Sequence, residues 1–391
     1  MTELLSGRLT FALGLCFAAL TALLLERRRT GLATTFAAVT ALTSPVAGLF
    51  AVLAGLAGRR ASVVAAALLP VAALAIAFPT GGYQPFAFGT LWPLLLVGGF
   101  ILLLRPGRVL GAATVLYLVG CVAAYAIHTP VGSNAARLGE LAAGPLVALL
   151  LALAALPLTY LQVHAAITDL KHGEPDSSAA YYRPLIAFLR REPGVWRVEV
   201  PPTQGHWESY WLATRFPLAR GWERQTDIAD DALFYEGGLT EGGLTEGGLT
   251  AARYDAWLHQ LAVRYVAVAD AAPDYSARAE LRLIRSRPSY LHVIARLPHW
   301  TVYAVTDPSP IASGAGRVEA VGSSTLRLAI TRAGAIHVRV RWSPYWQLSG
   351  VRGCVAPAGA FTLITTRGRG SAELRMSFSI ARIDSRAPRC D

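Results

Sequence analysis

Aromatic, acidic and basic residues crowd one stretch of the chain, His206-Trp207-Glu208-Ser209-Tyr210-Trp211, followed by Arg220-Gly221-Trp222-Glu223-Arg224. Flat Trp and Tyr faces suit sugar rings, while Glu and Arg side chains suit hydroxyls or a phosphate. Trp207, Glu208, Trp211, Arg220, Trp222 and Arg224 are therefore the candidate substrate-binding residues. Rings of this size also fill protein cores. The two accounts differ in one observable, exposure.

A second polar stretch runs from His128 to Glu140 between two apolar segments. Its Asn134 and Arg137, at the lip of a helix, are candidate ligands for a lipid phosphate. A Pro/Gly turn with a helix-flanking Arg is the plainer alternative. Cys354 and Cys390 would tie the C-terminal tail to its domain if that domain meets an oxidising compartment; two free thiols are the other possibility. Cys16 and Cys121 lie in apolar runs. No cysteine has metal-ligand spacing with a His partner, and no cofactor or metal is implied. There is no nucleophile elbow, phosphate loop or dinucleotide fingerprint. Glu236-Gly-Gly-Leu-Thr240 recurs at 241–245 and 246–250. Its period is too short for a solenoid, so it reads as a tolerant surface loop without function.

The elements that must position these residues differ between the two halves of the chain. Of 391 residues, 53% are hydrophobic and 16% charged, with a mean hydropathy of +0.41; a soluble domain carries about 25% charged residues. Residues 1–170 hold nine arginines and four acids, leaving 27 basic and 21 acidic residues beyond them. An apolar half thus precedes an ordinary polar one. The net charge of +11 is spread over both, which argues against a nucleic-acid partner, because that needs a concentrated basic stripe.

Six uncharged apolar runs stand out: Leu9–Leu25, Gly31–Ala57, Ala61–Phe78, Phe86–Leu104, Val109–Ile127 and Leu141–Leu161. Each approaches or exceeds the roughly 20 residues that cross a bilayer. The second is long and broken at Pro45, as a tilted span or a re-entrant pair would be. Arginines in the connecting loops divide four against five, so charge bias leaves the orientation open. No run contains an ionisable Asp, Glu, Lys, Arg or His, which disfavours an ion-coupled transporter.

In the polar half, Tyr181, Tyr182, Leu185, Phe188 and Leu189 fall at helical spacing, and Val195–Val200 alternates as a strand. Thr250 caps a helix with Tyr254, Trp257, Leu258 and Leu261 on one face. Arg264–Val268 reads as a strand and Ala277–Ile284 as a helix; Leu291–Leu297 and Thr301–Val305 read as further strands. Alternating helices and strands predict a small α/β layer. After Pro308 the pattern is period-two strands, such as Leu326–Ile330, Ile336–Trp342 and Leu374–Ile380, with Gly-rich turns. That predicts a β-sandwich of about 80 residues.

Several segments carry a family likeness. Ser6-Gly-Arg-Leu-Thr-Phe-Ala-Leu-Gly14, Ala41-Leu-Thr-Ser-Pro-Val-Ala-Gly48 and Thr129-Pro-Val-Gly-Ser-Asn-Ala-Ala-Arg137 resemble actinobacterial polytopic membrane proteins of the GT-C glycosyltransferase architecture. Tyr181-Tyr-Arg-Pro-Leu185, Gly205-His-Trp-Glu208 and Pro217-Leu-Ala-Arg-Gly-Trp-Glu-Arg224 resemble their soluble tail. Some relatives carry a pyruvoyl-tetrahydropterin-synthase-related label, which implies no pterin chemistry. The resemblance implies handling of polyprenyl-phosphate sugars, with the bilayer and a cell-envelope glycan as partners. It also implies an acidic residue, often an Asp pair, in the first extracytoplasmic loop, and here the sequence departs from the family. Glu3, Glu26 and Glu140 are the only acids before Asp169. The chain thus resembles a C-terminal portion of that architecture, and no catalytic residue is assigned.

The expectation is a multi-domain membrane protein. A transmembrane bundle of about six helices (1–170) precedes a small α/β domain (171–308) and a C-terminal β-sandwich (309–391). In function it is a GT-C-like glycosyltransferase or an inactive relative. The alternative is a non-catalytic, membrane-anchored carbohydrate- or protein-binding module with its polar half outside the cytoplasm.

Overall fold

Ser44-Pro45 decides the shape of the longest apolar run. Pro45 cannot continue the hydrogen-bond ladder of a preceding helix but fits the first turn of a new one. In the computed structural model, which describes residues 9–78, 82–150, 175–221, 223–235, 239–240, 243–244 and 249–390, the run accordingly divides there. The apolar helices are α1 (Leu9–Glu26), α2 (Thr30–Thr43), α3 (Pro45–Ala57), α4 (Ala61–Ala77), α5 (Phe88–Leu103), α6 (Arg108–Ala126) and α7 (Ala136–Leu150). Ser44 caps α3, its hydroxyl accepting from the Ala47 amide at 3.4 Å. Residues 151–161 of the last expected run lie outside the described residues.

Helices α1 and α6 are long and apolar enough to cross a membrane, yet only 17% and 11% of their apolar windows is buried. Helices α2 to α5 are apolar but shorter. The core helix of a soluble protein hides its apolar surface, whereas Leu69, Ile76, Leu96, Leu103 and Val119 all stand exposed.

Small residues form the contacts between these helices. Ala33, Ala37 and Ala41 of α2 are fully buried at four-residue spacing, and Ala47, Ala51 and Gly55 of α3 repeat that spacing. Such stripes let helix backbones approach closely, the packing mode favoured where no water drives association. Gly48 shows how close: a Cβ there would lie 2.7 Å from the Ala41 Cα.

The chain divides into two compact units, Met1–Gly173 with Leu239–Gly242, and Glu174–Gly238 with Gly243–Asp391. In the second, helices α8 (Ala179–Leu189), α9 (Trp207–Trp211), α10 (Arg224–Asp230), α11 (Ala251–Gln260) and α12 (Arg278–Arg285) accompany strands β1 (Arg197–Glu199), β2 (Val263–Ala269), β3 (Leu291–Leu297) and β4 (Trp300–Val305). The sheet order is β1-β2-β4-β3; β1 and β2 run parallel and the other pairs antiparallel. Thr250 caps α11 through the Arg253 amide at 3.3 Å.

Strand alternation sorts side chains onto two faces. Val198, Val200, Tyr265, Ala267, Trp300 and Val302 share one core with Tyr181, Tyr182, Leu185 and Leu189 of α8. Glu199, Val266, Thr301 and Tyr303 occupy the alternate positions.

The remainder is mostly sheet: β5 (Ala312–Gly314), β6 (Gly316–Val321), β7 (Thr325–Ile330), β8 (Gly334–Arg341), β9 (Trp346–Ser349), β10 (Gly353–Ala358), β11 (Phe361–Thr366), β12 (Gly370–Met376) and β13 (Arg389–Cys390). They form a five-stranded sheet, β13-β10-β11-β8-β5, and a four-stranded one, β9-β12-β7-β6. Residues of both sheets meet in one core that includes Ile336, Ile364, Leu328 and Leu374. The strand expected over Leu374–Ile380 stops at Met376. Phe378 and Ile380 stand exposed beyond it, with Ile380 79% accessible, and a 3-10 turn replaces the strand at Ile380–Arg382.

Candidate functional site

The aromatic cluster is divided by the fold. His206 takes a left-handed conformation, φ 54°, and turns the chain into the short helix α9. The imidazole is held between two carboxylates, with Nδ1 3.4 Å from Glu208 Oε1 and Nε2 3.7 Å from Asp274 Oδ2. Burial pushes its pKa down, but hydrogen bonds to Asp274 and Glu208 outweigh this and raise it to about 9. Glu208 is itself buried and accepts from the Thr203 hydroxyl at 2.8 Å. Its carboxylate therefore ties a loop together and does not face solvent.

The rings split in the same way. Trp207 is 37% exposed and Tyr210 62%, with ring centres 6.2 Å apart and planes nearly perpendicular. Trp211 turns inward, donating Nε1 to the Ser177 carbonyl at 3.2 Å and stacking on Tyr182. Trp222 and the Arg224 side chain lie outside the described residues. Of the four candidates whose side chains are described, only Trp207 is thereby placed at the surface, beside a tyrosine.

Arg220 is placed in the interior, at the centre of a buried ionic network. Its Nε and Nη2 donate to Glu199 Oε1 at 3.0 and 2.8 Å, and Nη2 also donates to Glu280 Oε2 at 2.5 Å. Tyr254 donates its hydroxyl to Glu280 Oε1 at 2.6 Å. The guanidinium lies over the Phe234 ring, 3.7 Å from its centre. Nearby, Tyr235 donates to Asp227, and Trp257 donates to Asp231 at 2.8 Å. Arg341 at the end of β8 donates to Asp231 Oδ1 at 3.2 Å and to the Asp230 carbonyl at 2.7 Å, so the network joins the β2 layer to the C-terminal sheets.

Two buried glutamates thus share one arginine. Burial raises the pKa of both, and Arg220 offsets this only in part. Burial likewise raises Asp231 to about 6, although the Trp257 hydrogen bond opposes it. Raised carboxyl pKa values in a cleft would point to acid–base chemistry. Here Glu199 and Glu280 are fully enclosed, so the geometry supports a structural role.

Sequence reasoning missed this network except for Arg220. A signal was present: Glu199 stands alone between Val198 and Val200 in a buried strand, where an acid requires a partner.

In the helical unit, the 128–140 loop is anchored to a neighbouring loop. Gln84 Nε2 donates to Ser133 Oγ at 3.0 Å, and Gly132, at φ +39°, comes so near that a Cβ would meet the Gln84 carbonyl oxygen at 1.7 Å. Asn134 donates to the Pro130 carbonyl at 3.4 Å, as a turn residue does. The Arg137 guanidinium lies 5.3 Å from the Phe11 ring centre. The fold thus places both residues at one end of the helices.

Cys354 and Cys390 are bonded, with an S–S distance of 1.97 Å, and face each other across β10 and β13. Among the described residues no group of three or more His, Cys, Asp or Glu is placed to hold a metal ion. No family model, no curated protein and no solved structure matches the chain.

Proposed function

We propose that this is a multi-pass membrane protein of the cell envelope, whose helical unit crosses the bilayer about six times and carries a non-catalytic binding module outside the cytoplasm. The observation that carries the proposal is the apolar surface of the helical unit: its helices meet through small residues and leave large aliphatic side chains exposed. Lipid is the solvent that such a surface fits. The two C-terminal sheets would form a β-sandwich, in one sheet of which the Cys354–Cys390 bond ties β13 to β10; that bond supports an oxidising compartment for the polar unit. Trp207 and Tyr210 would meet a glycan or protein partner. Washing membranes at alkaline pH tests the anchoring: the chain stays with the lipid pellet, and its release to the supernatant would refute the proposal.

One further observation favours a GT-C-like ancestry with a polyprenyl-phosphate ligand. Leu94, Gly98, Ile101, Leu110, Thr114 and Tyr117 line an apolar hollow of about 170 Å³ among α5, α6 and α7. The Tyr117 hydroxyl closes one side, donating to the Ala135 carbonyl and accepting from the Gly139 amide, both at 2.9 Å. An isoprenoid chain would lie in the hollow, with Asn134 and Arg137 near its phosphate. Sugar transfer is not assigned to this chain, because a general base has to reach the acceptor hydroxyl and the sequence departs from the acidic loop that the resemblance implies.

A further inference from the structure

A second concavity, separate from the Trp207 surface, opens on the face of the β2-β4-β3 sheet that carries Thr301 and Tyr303. It has a volume of about 470 Å³, within the roughly 300–1,000 Å³ typical of small-molecule sites. Leu281 and Ile284 of α12 and Tyr303 of β4 are among the residues that line it.

Its charged residues are not symmetric. Arg285, the last residue of α12, and Arg296, opposite Thr301 in the β3–β4 register, both line the hollow. Both are exposed, and among the described residues neither side chain forms an ion pair or a hydrogen bond. The single acid of the lining, Asp270, is occupied. Tyr181 donates its hydroxyl to Asp270 Oδ1 at 2.6 Å, and His299 Nδ1 lies 3.0 Å from Oδ2. The His299 ring is fixed in turn by stacking on Tyr181, with centres 4.5 Å apart.

We propose that this hollow binds a small phosphate monoester, the phosphate between Arg285 and Arg296 and the organic body against Tyr303, Leu281 and Ile284. Guanidinium groups bind phosphate through paired, charge-assisted hydrogen bonds. A dianion matches two arginines left without protein partners. Asp270 keeps its single negative charge, hydrogen-bonded by Tyr181 and facing His299, and the two arginines outnumber it. The body of the ligand requires an apolar and partly aromatic wall, which the hollow has. The site stands on residues of the polar unit alone and does not depend on the membrane reading.

Calorimetric titration of the full chain in a non-ionic detergent, with glucose 6-phosphate, inorganic phosphate, glucose and glucuronate, tests the assignment. The expected order is glucose 6-phosphate tightest, inorganic phosphate weaker, and glucose without heat. Arg285→Gln and Arg296→Gln should each weaken glucose 6-phosphate binding about tenfold, the scale of one lost charged hydrogen bond. Both side chains are at the surface, so the melting temperature should not move. Absence of binding by the unaltered chain, or an affinity in either variant equal to that of the unaltered chain, would overturn the proposal. Tighter binding of glucuronate than of glucose 6-phosphate would overturn the choice of phosphate.

Discussion

At the scale of single residues, Arg220 holds the interior of the polar unit together. Among the described residues it is the one cation that contacts both Glu199 and Glu280, and removing one partner of a buried ion pair strands the others. Arg220→Met should destabilise the unit by roughly 3–5 kcal/mol. Glu199→Gln keeps the shape, removes one of two competing acids, and should cost far less. Chemical denaturation of the full chain, followed by tryptophan fluorescence, separates the two; equal costs would refute a shared-arginine network. His206 and Asp231 set the pH dependence. His206 is raised to about 9 from an ordinary value of about 6.5, so its contribution is complete below the latter and lost as pH rises through the former. Asp231 is raised to about 6 from about 3.9; its contribution is likewise present at low pH and lost as pH rises through 6. Both act in one direction. The melting temperature of the polar unit should fall steadily from pH 5 to pH 9, and His206→Gln should flatten the upper part of that slope. A melting temperature that rises over this range would contradict the assigned partners.

At the scale of elements, the covalent bond between β10 and β13 can be tested directly. Cys354 and Cys390 are 36 residues apart, and opening a loop of that length costs about 3–4 kcal/mol by the loop-entropy argument. Cys354→Ser should lower the stability of the polar unit by that order, and reductant should do the same to the unaltered chain but not to the variant. An unchanged midpoint under reductant would show that the bond adds nothing. Elements with strong periodicity were legible from sequence. The helix Thr250 caps, the strands at Leu291 and Thr301, and the apolar helices α1, α4, α5 and α6 were expected near their observed bounds, whereas the Gly31–Ala57 run divides into two helices at Pro45. Strands β10 and β11 were not, because Gly353-Cys-Val-Ala-Pro-Ala358 alternates weakly and carries a proline. The division of the aromatic cluster was also hidden. Local sequence cannot tell that Trp207 points outward and Trp211, one helical turn later, packs on Tyr182, because the partner ring comes from a helix 29 residues earlier. The Glu199–Arg220–Glu280 contacts join positions 21 and 60 residues apart, and only the folded sheet brings them together.

At the scale of the whole molecule, the chain couples an apolar helical unit to a polar, sheet-rich one. The apolar unit has its exposed leucines and buried alanine stripes; the polar unit has a disulfide and a buried ionic network. Those chemistries suit two different solvents. The central claim is that the first unit lies in the bilayer and the second outside the cytoplasm, and the junction at Gly173 is where it is most directly tested. Two reporters should be fused there in turn, one active only in the cytoplasm and one only beyond the membrane. The account predicts activity from the second alone. Activity from the cytoplasmic reporter at Gly173, with none from the other, would contradict it.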